Sequence, residues 1–293
     1  FYRIVPFMRG IFVLLTIFGG VFAFQANAQC RISFAERAND IPTYVQNGQA
    51  CLSDIPDGFT FDETLEARFA ERINQTRRAH GLPTLVYRTE LRNAARWHSL
   101  DMAANDFFNH QGLDATMPRD RINALDRTLL TSLLLENIAS ITGNFDRDTV
   151  VERLHTGLMN SPSHRDAILR DGITHFAMGV VTTDRGVWLT ELFVREDGTF
   201  DRPVPLRLEA GSIIRQPATL RRWSMSGLAM MHGDDADAFD LPEEGWAMGR
   251  VPEDLQGKID LTVRGEKAGP QPNQTVYIHF HGPTVEVRPA HSS

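Results

Sequence analysis

The spacing of apolar residues changes from about four to two near residue 175, and this change limits the folds open to the chain. Between residues 61 and 73 an apolar side chain recurs at every fourth position, which predicts one stripe of an amphipathic helix. Residues 176–183 and 187–194 are rich in β-forming side chains, and Asp184-Arg185-Gly186 between them is typical of a hairpin turn. Helices followed by a hairpin predict an α+β fold, layered as an α/β/α sandwich.

Turn and capping residues set the bounds of the predicted helices. A loop with Pro118 and several charges separates the second helix from the third, and residues 133–140 form a short apolar stretch. The predicted helices are one from Thr60 to Gly81-Leu82-Pro83, a second from Thr89 to Asn105-Asp106, a third after Asp146 that ends at Ser161-Pro162-Ser163, and a fourth capped by Ser163 that runs through Ile168.

The composition of the chain changes after residue 198. Asp197-Gly198, Pro203 and Pro205 mark a boundary there, and short β-like runs follow, separated by polar turns. We therefore predict a small all-β, sandwich-like domain over residues 199–293, after the α+β domain over residues 60–198. The β-like runs are residues 206–208, 212–214, 218–223, 245–250, 259–263 and 276–280.

The beginning of the chain has the pattern of a cleavable signal peptide. Arg3 and Arg9 precede an apolar run at residues 10–24, and Ala26-Asn27-Ala28 then supplies the small residues of a cleavage site. An uncleaved anchor is the alternative, but the run is short for a membrane span, which needs about 20 apolar residues. We expect cleavage after residue 28 and a secreted or periplasmic location in a bacterium.

Residues 29–59 form a lead-in with little periodicity that contains both cysteines, Cys30 and Cys51. In an oxidising compartment we expect them to form a disulfide, which would stabilise the fold by about 3 kcal/mol. A lipid-modified Cys30 is the alternative, and Gln29 before it disfavours that reading. The spacing is not that of a C-x-x-C motif, which disfavours a metal or redox role.

The charge of the chain excludes one class of partner. The formal net charge is −7, and it becomes −9 without Arg3 and Arg9. Because phosphate neutralisation drives binding to nucleic acids, we expect no nucleic-acid partner. No run after residue 28 is apolar for long enough to span a membrane, so we expect no membrane span in the mature protein. The sequence does not indicate an oligomeric state.

A series of short motifs lies between residues 60 and 194. The motifs are Ile73-Asn74-Gln75-Thr76-Arg77-Arg78, Gly81-Leu82-Pro83, Ala94-Ala95-Arg96-Trp97-His98-Ser99, Phe108-Asn109-His110, Glu136-Asn137-Ile138-Ala139, Ser161-Pro162-Ser163-His164-Arg165, Gly179-Val180 and Trp188-Leu189-Thr190-Glu191-Leu192-Phe193. Taken in this order, they resemble the motifs of the CAP superfamily, which groups cysteine-rich secretory proteins, antigen 5 and plant pathogenesis-related 1 proteins (the SCP domain). The chain is most similar to the bacterial branch of that family.

The resemblance implies a cleft lined by His and Glu. Animal and plant members carry two of each, and their His pair can bind zinc. His110 and Glu136 match the first His and the first Glu, whereas the second Glu falls at Ser161 and the second His has no counterpart. Bacterial members carry instead the His of the Ser-Pro-x-His-Arg motif, here His164. The resemblance thus implies a catalytic site at His110, Glu136 and His164, with His110 and His164 as the zinc ligands.

The residue types agree with this implied site. Two imidazoles and a carboxylate can hold Zn²⁺ with an open position for water. Without metal, Glu136 can act as a general base with His110 or His164 as its acid partner. Each residue also has a structural reading, in which Glu136 belongs to a buried polar network and His164 buttresses a helix break.

Three further residues are candidates for ligand binding. His98 lies on an apolar helix face, where a core histidine bonded to a backbone carbonyl or to Glu136 is the alternative. Glu191 lies on a predicted strand and can supply the second carboxylate, or form an ion pair at the rim. Ser161 stands where the family has its second Glu.

Two classes of function follow. The first is a binding module for a cell-envelope polymer, a lipid or a protein. The alternative is a hydrolase of cell-wall peptidoglycan or of protein that uses the same His/Glu site with or without zinc. A third reading makes the C-terminal β domain the functional half.

Overall fold

The computed structural model describes most of the chain after the predicted signal peptide, which lies outside the described residues. Among the described residues, no helix is long and apolar enough to cross a membrane. The described residues are 30–31, 40–143, 145–232, 235–240 and 245–290.

The fold is α+β, as predicted, with helices packed on a large, mostly antiparallel sheet. The strands of its first part follow the order β1-β4-β5-β3. In the described part of the chain the helices are α1 (Ile41–Ser53), α2 (Glu63–Ala79), α3 (Thr89–Asn105), α4 (Pro118–Leu125), α5 (Val150–Asn160) and α6 (Pro162–Ile168). The strands are β1 (Thr60–Phe61), β2 (Val86–Tyr87), β3 (Leu129–Thr142), β4 (His175–Thr183), β5 (Gly186–Phe200), β6 (Arg207–Glu209), β7 (Ile213–Leu220), β8 (Ser224–His232), β9 (Asp235–Asp240), β10 (Trp246–Arg250), β11 (Gly257–Ala268) and β12 (Thr275–Arg288).

Two hydrophobic cores cover the two faces of this sheet. Side chains alternate between faces along a strand, so Trp188 and Leu192 of β5 join one core, whereas Leu189 and Phe193 join the other. The first core also contains residues of α1, α3 and α4, and the second contains residues of α2, α5 and α6. The sheet therefore has helices on both faces, which confirms the predicted α/β/α sandwich.

Helix α3 lies unusually close to the sheet at Gly179 of β4. A Cβ atom built on Gly179 would stand 2.2 Å from the backbone nitrogen of Arg96 and 2.4 Å from the carbonyl carbon of Ala95. The Ser99 hydroxyl donates to the Gly179 carbonyl at 2.9 Å. Only a residue without a side chain permits this approach, which sets the depth at which α3 packs.

The C-terminal region is rich in β-structure, as predicted, and it continues the same sheet. Strand β7 pairs with the end of β5, where Gly198 is opposite Leu220. Strand β12 meets β3 at one position, His281 opposite Thr131. Strands β7, β8, β10, β11 and β12 enclose a third core. The predicted boundary at residue 198 lies within β5, and the division into separate domains stays a prediction.

The predicted irregular lead-in contains a regular helix, α1, so that expectation is wrong for residues 41–53. The Asp40 side chain caps the helix by accepting from the Thr43 N–H at 2.7 Å. Tyr44 is buried edge-on against Trp97. The buried positions of α1 include Asn47 and Gly48, which carry little apolar signal, and this hid the helical period from the sequence.

The disulfide predicted between Cys30 and Cys51 is confirmed and attaches residue 30 to α1. The start of α1 in turn contacts β12 at the other end of the described chain. The backbone N–H of Ile41 donates to the Glu286 carboxylate at 3.4 Å, and Arg288 lies 3.6 Å from the Asp40 carboxylate. The two ends of the described chain are therefore held together.

Helix α4 lies where the sequence predicted a loop. Pro118 occupies the first turn, a position where proline costs nothing because the N–H that it lacks has no helical partner. The Asp120 carboxylate accepts from the Met117 N–H at 2.7 Å and closes the start of the helix. The predicted loop is therefore wrong, and the difference matters because α4 carries Arg121 into the candidate site.

Candidate functional site

Strand β3 divides the predicted site between the two faces of the sheet. Glu136 and Asn137 are consecutive in β3, so their side chains point to opposite faces. Glu136 points toward α3 and α4, and Asn137 points toward α6. The site therefore consists of two half-sites on opposite faces of β3, one around Glu136 and one around Asn137.

The Glu136 carboxylate is fixed by two partners. Its Oε1 lies 2.8 Å from His110 Nδ1, and its Oε2 accepts from Arg121 Nη2 at 2.8 Å. The carboxylate side chain is only 2% exposed. Burial alone raises the pKa of Glu136, but the bond to His110 and the charge of Arg121 outweigh it and hold the pKa below its ordinary value. Glu136 is thus a buried, ionised carboxylate that orients its neighbours.

His110 is the part of this half-site that solvent reaches, with 43% of its side chain exposed. Arg121 positions the loop that carries it, since it donates to the His110 carbonyl at 3.0 Å and to the Thr116 carbonyl at 2.9 Å. When Nδ1 donates its proton to Glu136, the other ring nitrogen, Nε2, is left as an acceptor. The His110 imidazole is therefore a base that Glu136 holds in one orientation.

His98 lies behind this pair, in the interior. Its side chain is fully buried, and its Nε2 lies 2.9 Å from the Asn109 carbonyl and 4.0 Å from Glu136 Oε1. Burial, helped by the charge of Arg121, lowers the pKa of His98 to about 4. This arrangement confirms the structural reading, a neutral core histidine bonded to a backbone carbonyl. A direct role in ligand binding stays a prediction.

The second half-site is organised by Asn137. Its amide donates to the His164 carbonyl at 3.1 Å and to Glu191 Oε2 at 3.2 Å. His164 is half-buried on α6, and burial and the nearby charge of His110 lower its pKa. The backbone of His164, and with it the start of α6, is therefore held against β3 by Asn137.

Glu191 and Ser161 are the other two residues that the sequence predicted as ligand-binding. Glu191 is fully buried, and its Oε1 has no hydrogen-bond partner in the described structure. Burial raises the pKa of Glu191 to about 7, although the bond from Asn137 lowers it somewhat. Ser161 lies at the junction of α5 and α6, where its carbonyl accepts from the Arg165 N–H at 2.9 Å. Ligand binding by these two residues stays a prediction, and for Glu191 it would require the carboxylate to become accessible.

Sequence reasoning missed two residues that hold the site together, Arg121 and Asn137. Arg121 was hidden because α4 was predicted as a loop, and an arginine in a charged segment reads as a solvated side chain. Asn137 follows Glu136 directly, and the period-two rule for strands was the signal that could have placed it on the opposite face.

Zinc does not fit this arrangement well. Among the residues that the structure describes, no three His, Cys, Asp or Glu side chains lie close enough together to hold a metal ion. Both oxygens of Glu136 are engaged, and one of them is bound by the positively charged Arg121. We therefore derive no chemistry through a metal, and binding of zinc by His110 and His164 stays a prediction.

Comparison with a family model settles the family of this part of the chain. Residues 70–193 match the model of the cysteine-rich secretory protein family, CAP. The chain carries a CAP domain. The match includes every residue of both half-sites and ends before the C-terminal β-rich region.

Individual relatives of the CAP domain are bacterial. An uncharacterised protein of Bacillus subtilis, YkwD, is 31% identical over 129 residues, which are 44% of this chain and 46% of that protein. The chain thus spans less than half the length of this relative.

Two solved structures are similar to the same part of the chain. An outer surface protein of Borrelia burgdorferi, 20% identical, gives a TM-score of 0.40 over 47% of this chain and 98% of its own. An extracellular protein of Bacillus anthracis with an SCP domain, 25% identical, gives a TM-score of 0.39 over 46% of this chain and 41% of its own.

Proposed function

We propose that this protein works outside the cytoplasm and that the His110, Glu136 and His164 site of its CAP domain binds a ligand there. The ligand class is a cell-envelope polymer, a lipid or a protein. One observation carries the proposal: the buried Glu136 carboxylate orients a histidine that is 43% exposed. A carboxylate–imidazole pair of this kind fixes a hydrogen-bonding group in one direction before a ligand arrives, which reduces the entropy cost of binding.

Three features support the location. The chain begins with a signal-peptide pattern, and the Cys30–Cys51 disulfide is typical of oxidising compartments. Two proteins of similar structure are described as an outer surface protein and an extracellular protein.

Hydrolysis is the second candidate, and the His110–Glu136 pair favours it. In this mechanism His110 Nε2 takes a proton from a water molecule that attacks the substrate, and Glu136 stabilises the imidazolium that forms. His164, on the other face of the strand, can donate a proton to the leaving group when it is protonated. Because no Ser or Cys nucleophile motif accompanies the site, the attacking group is water.

The experiment compares the full protein, after cleavage of the predicted signal peptide, with the His110→Ala variant. Co-sedimentation with insoluble peptidoglycan measures binding, and soluble fragments measure hydrolysis. His80→Ala, an exposed histidine at the end of α2, is the matched control. Binding that is lost only in His110→Ala supports the proposal, and fragment release that is lost only there makes the protein a hydrolase. Equal binding by all three proteins would contradict a role for the site with this polymer.

A further inference from the structure

The outer edge of β3, where the two half-sites meet, has no neighbouring strand along most of its length. Within the described residues, β3 pairs with β5 on one side from Leu129 to Thr142, but on the other side only Thr131 is paired, with β12. The register with β5 is regular from Leu133 to Thr142. Among the described residues, the edge that follows Thr131 therefore has no strand beside it and no bulge from Leu133 to Thr142.

The register identifies which backbone groups of β3 face outward. Gly143 continues the register and donates its N–H to the Arg185 carbonyl at 2.8 Å. Since antiparallel pairs alternate between bonded and non-bonded positions, the odd-numbered residues of β3 bond to β5. The even-numbered residues Leu134, Glu136 and Ile138 therefore direct their N–H and C=O groups away from the sheet.

The burial of Glu136 agrees with this assignment. Its side chain is 2% exposed, yet the residue as a whole is only half-buried. The exposed part of Glu136 is therefore its backbone. Solvent, and hence a ligand, reaches the unpaired groups at the centre of the site.

This edge also lacks the features with which proteins usually block an open strand. Edges are normally protected by charged side chains, prolines or bulges. Residues 133–142 contain no proline, and their one charged side chain, Glu136, is turned inward to Arg121. Leu134 and Leu135, one on each face, are only partly buried. At these two residues the edge carries a partly exposed apolar side chain on each face.

We propose that an extended peptide binds along this edge as an added strand next to Leu134, Glu136 and Ile138. The proposal rests on the proposed ligand-binding function and names its ligand class as a peptide. The peptide backbone would exchange hydrogen bonds with these three residues. It would run between His110 on one face and His164 on the other, and it would continue the position that β12 occupies at Thr131.

The neighbouring elements favour a single peptide over a second copy of this protein. The His110 loop is bound to Glu136 on one face of the strand, and the start of α6 is bound to Asn137 on the other. These elements flank the edge on both faces. A second copy that paired through its own β3 would bring the same two elements into the same space.

The test selects linear heptapeptides from a random phage-displayed library on the full protein and then N-methylates each residue of a selected peptide in turn. An added strand requires that alternate methylations weaken binding about five- to ten-fold each, since each removes one hydrogen bond, while the intervening ones have little effect. Hydrogen exchange should show new protection at the amides of Glu136 and Ile138. Failure to enrich any peptide, uniform methylation effects, or unchanged exchange at these amides would overturn the proposal.

The His110→Ala variant separates this proposal from the proposed function. If peptide binding persists unchanged in His110→Ala, the result would support binding at the β3 edge. It would also show that the His110 imidazole does not contribute to binding. Peptidoglycan binding that depends on His110, without enrichment of any peptide, would keep the proposed function and overturn the edge proposal. A concentration-dependent dimer with the same amides protected would also overturn it, in favour of a second copy.

Discussion

At the scale of single residues, the site depends on charges that the fold keeps away from water. Glu136 is ionised because His110 and the buried Arg121 both bind it, whereas Glu191, which is also buried, has only the amide of Asn137 as a partner. Two carboxylates on adjacent strands of one sheet thus have pKa values on opposite sides of the ordinary value. Substitutions at the two positions should have different consequences.

We predict that Arg121→Met destabilises the protein by about 3 kcal/mol, because it leaves the Glu136 carboxylate buried without its cation. The variant also removes the bonds from Arg121 to the carbonyls of His110 and Thr116, so exchange at the amide of His110 should accelerate. Chemical denaturation and hydrogen exchange measure the two effects. Arg119→Met, at an exposed position of the same helix, is the control, and an equal loss in both variants would contradict the prediction.

We predict that Glu191→Gln changes how stability depends on pH. The folded pKa of Glu191 is about 7, above its ordinary value, so the folded state holds a proton that the unfolded state has released. Stability of the parent should therefore fall as pH rises from about 4.5 to 7, whereas Gln cannot ionise. Between pH 5 and pH 8 the stability of the variant relative to the parent should rise by about 2.5 kcal/mol. Denaturation at pH 5 and pH 8 measures this, and a difference that does not grow with pH would refute it.

At the scale of helices and strands, close packing places the site as much as hydrogen bonding does. Helix α3 carries His98 and approaches β4 at Gly179, where no side chain separates the backbones. His98 is bonded to the carbonyl of Asn109, the residue before His110. The depth at which α3 packs therefore sets the position of the loop that carries His110. A change in helix depth would therefore move the exposed imidazole.

We predict opposite effects for the same substitution at two glycines. Gly179→Ala would place a methyl group 2.2 Å from the α3 backbone, and it should destabilise the protein by about 3 kcal/mol or more. Gly157→Ala lies in α5 with nothing within 4 Å, and it should stabilise the helix by up to about 1 kcal/mol. Thermal unfolding of both variants is the measurement. A Gly179→Ala protein as stable as the parent would show that α3 can shift.

Sequence patterns predicted some elements well and others not at all, and the reasons are physical. Helix α3 was predicted close to its observed bounds because Leu91, Ala94, Ala95 and Met102 share one face and Asn105-Asp106 marks its end, although Arg88 and not Thr89 occupies its N-cap position. Helix α1 was missed because Asn47 and Gly48 interrupt its buried face, and helix α4 was missed because its buried residues include Arg121 and Asn123. The resemblance to the CAP superfamily supplied His110, Glu136 and His164. It could not indicate that Glu136 and His164 approach the edge of β3 from different faces.

At the scale of the whole molecule, Arg127 connects the CAP domain to the C-terminal region. It donates to the carbonyls of Val204, Pro205 and Thr284, which belong to that region, and to the carbonyl of Asn123 in α4. Burial lowers the pKa of Arg127 to about 10. One guanidinium thus satisfies four carbonyls where the two parts of the chain meet.

We predict that Arg127→Met leaves these carbonyls without their donor and weakens the coupling between the two parts. The variant should lose about 3 kcal/mol of stability, since each unsatisfied buried group costs about 1 kcal/mol or more. Its thermal unfolding should broaden or separate into two transitions. Arg153→Met, an exposed arginine of α5, controls for the loss of a charge. A single sharp transition at the temperature of the parent would contradict the proposed coupling.

The contact between the two ends of the described chain constrains when folding can finish. Ile41 of α1 bonds to Glu286 of β12 across a separation of 245 residues, and such distant contacts are slow to form. Synthesis produces α1 long before β12. A growing chain must therefore hold α1 without its β12 partner until the 245 residues that separate Ile41 from Glu286 have been made. During that interval the edge of β3 lacks even the pairing that β12 provides at Thr131.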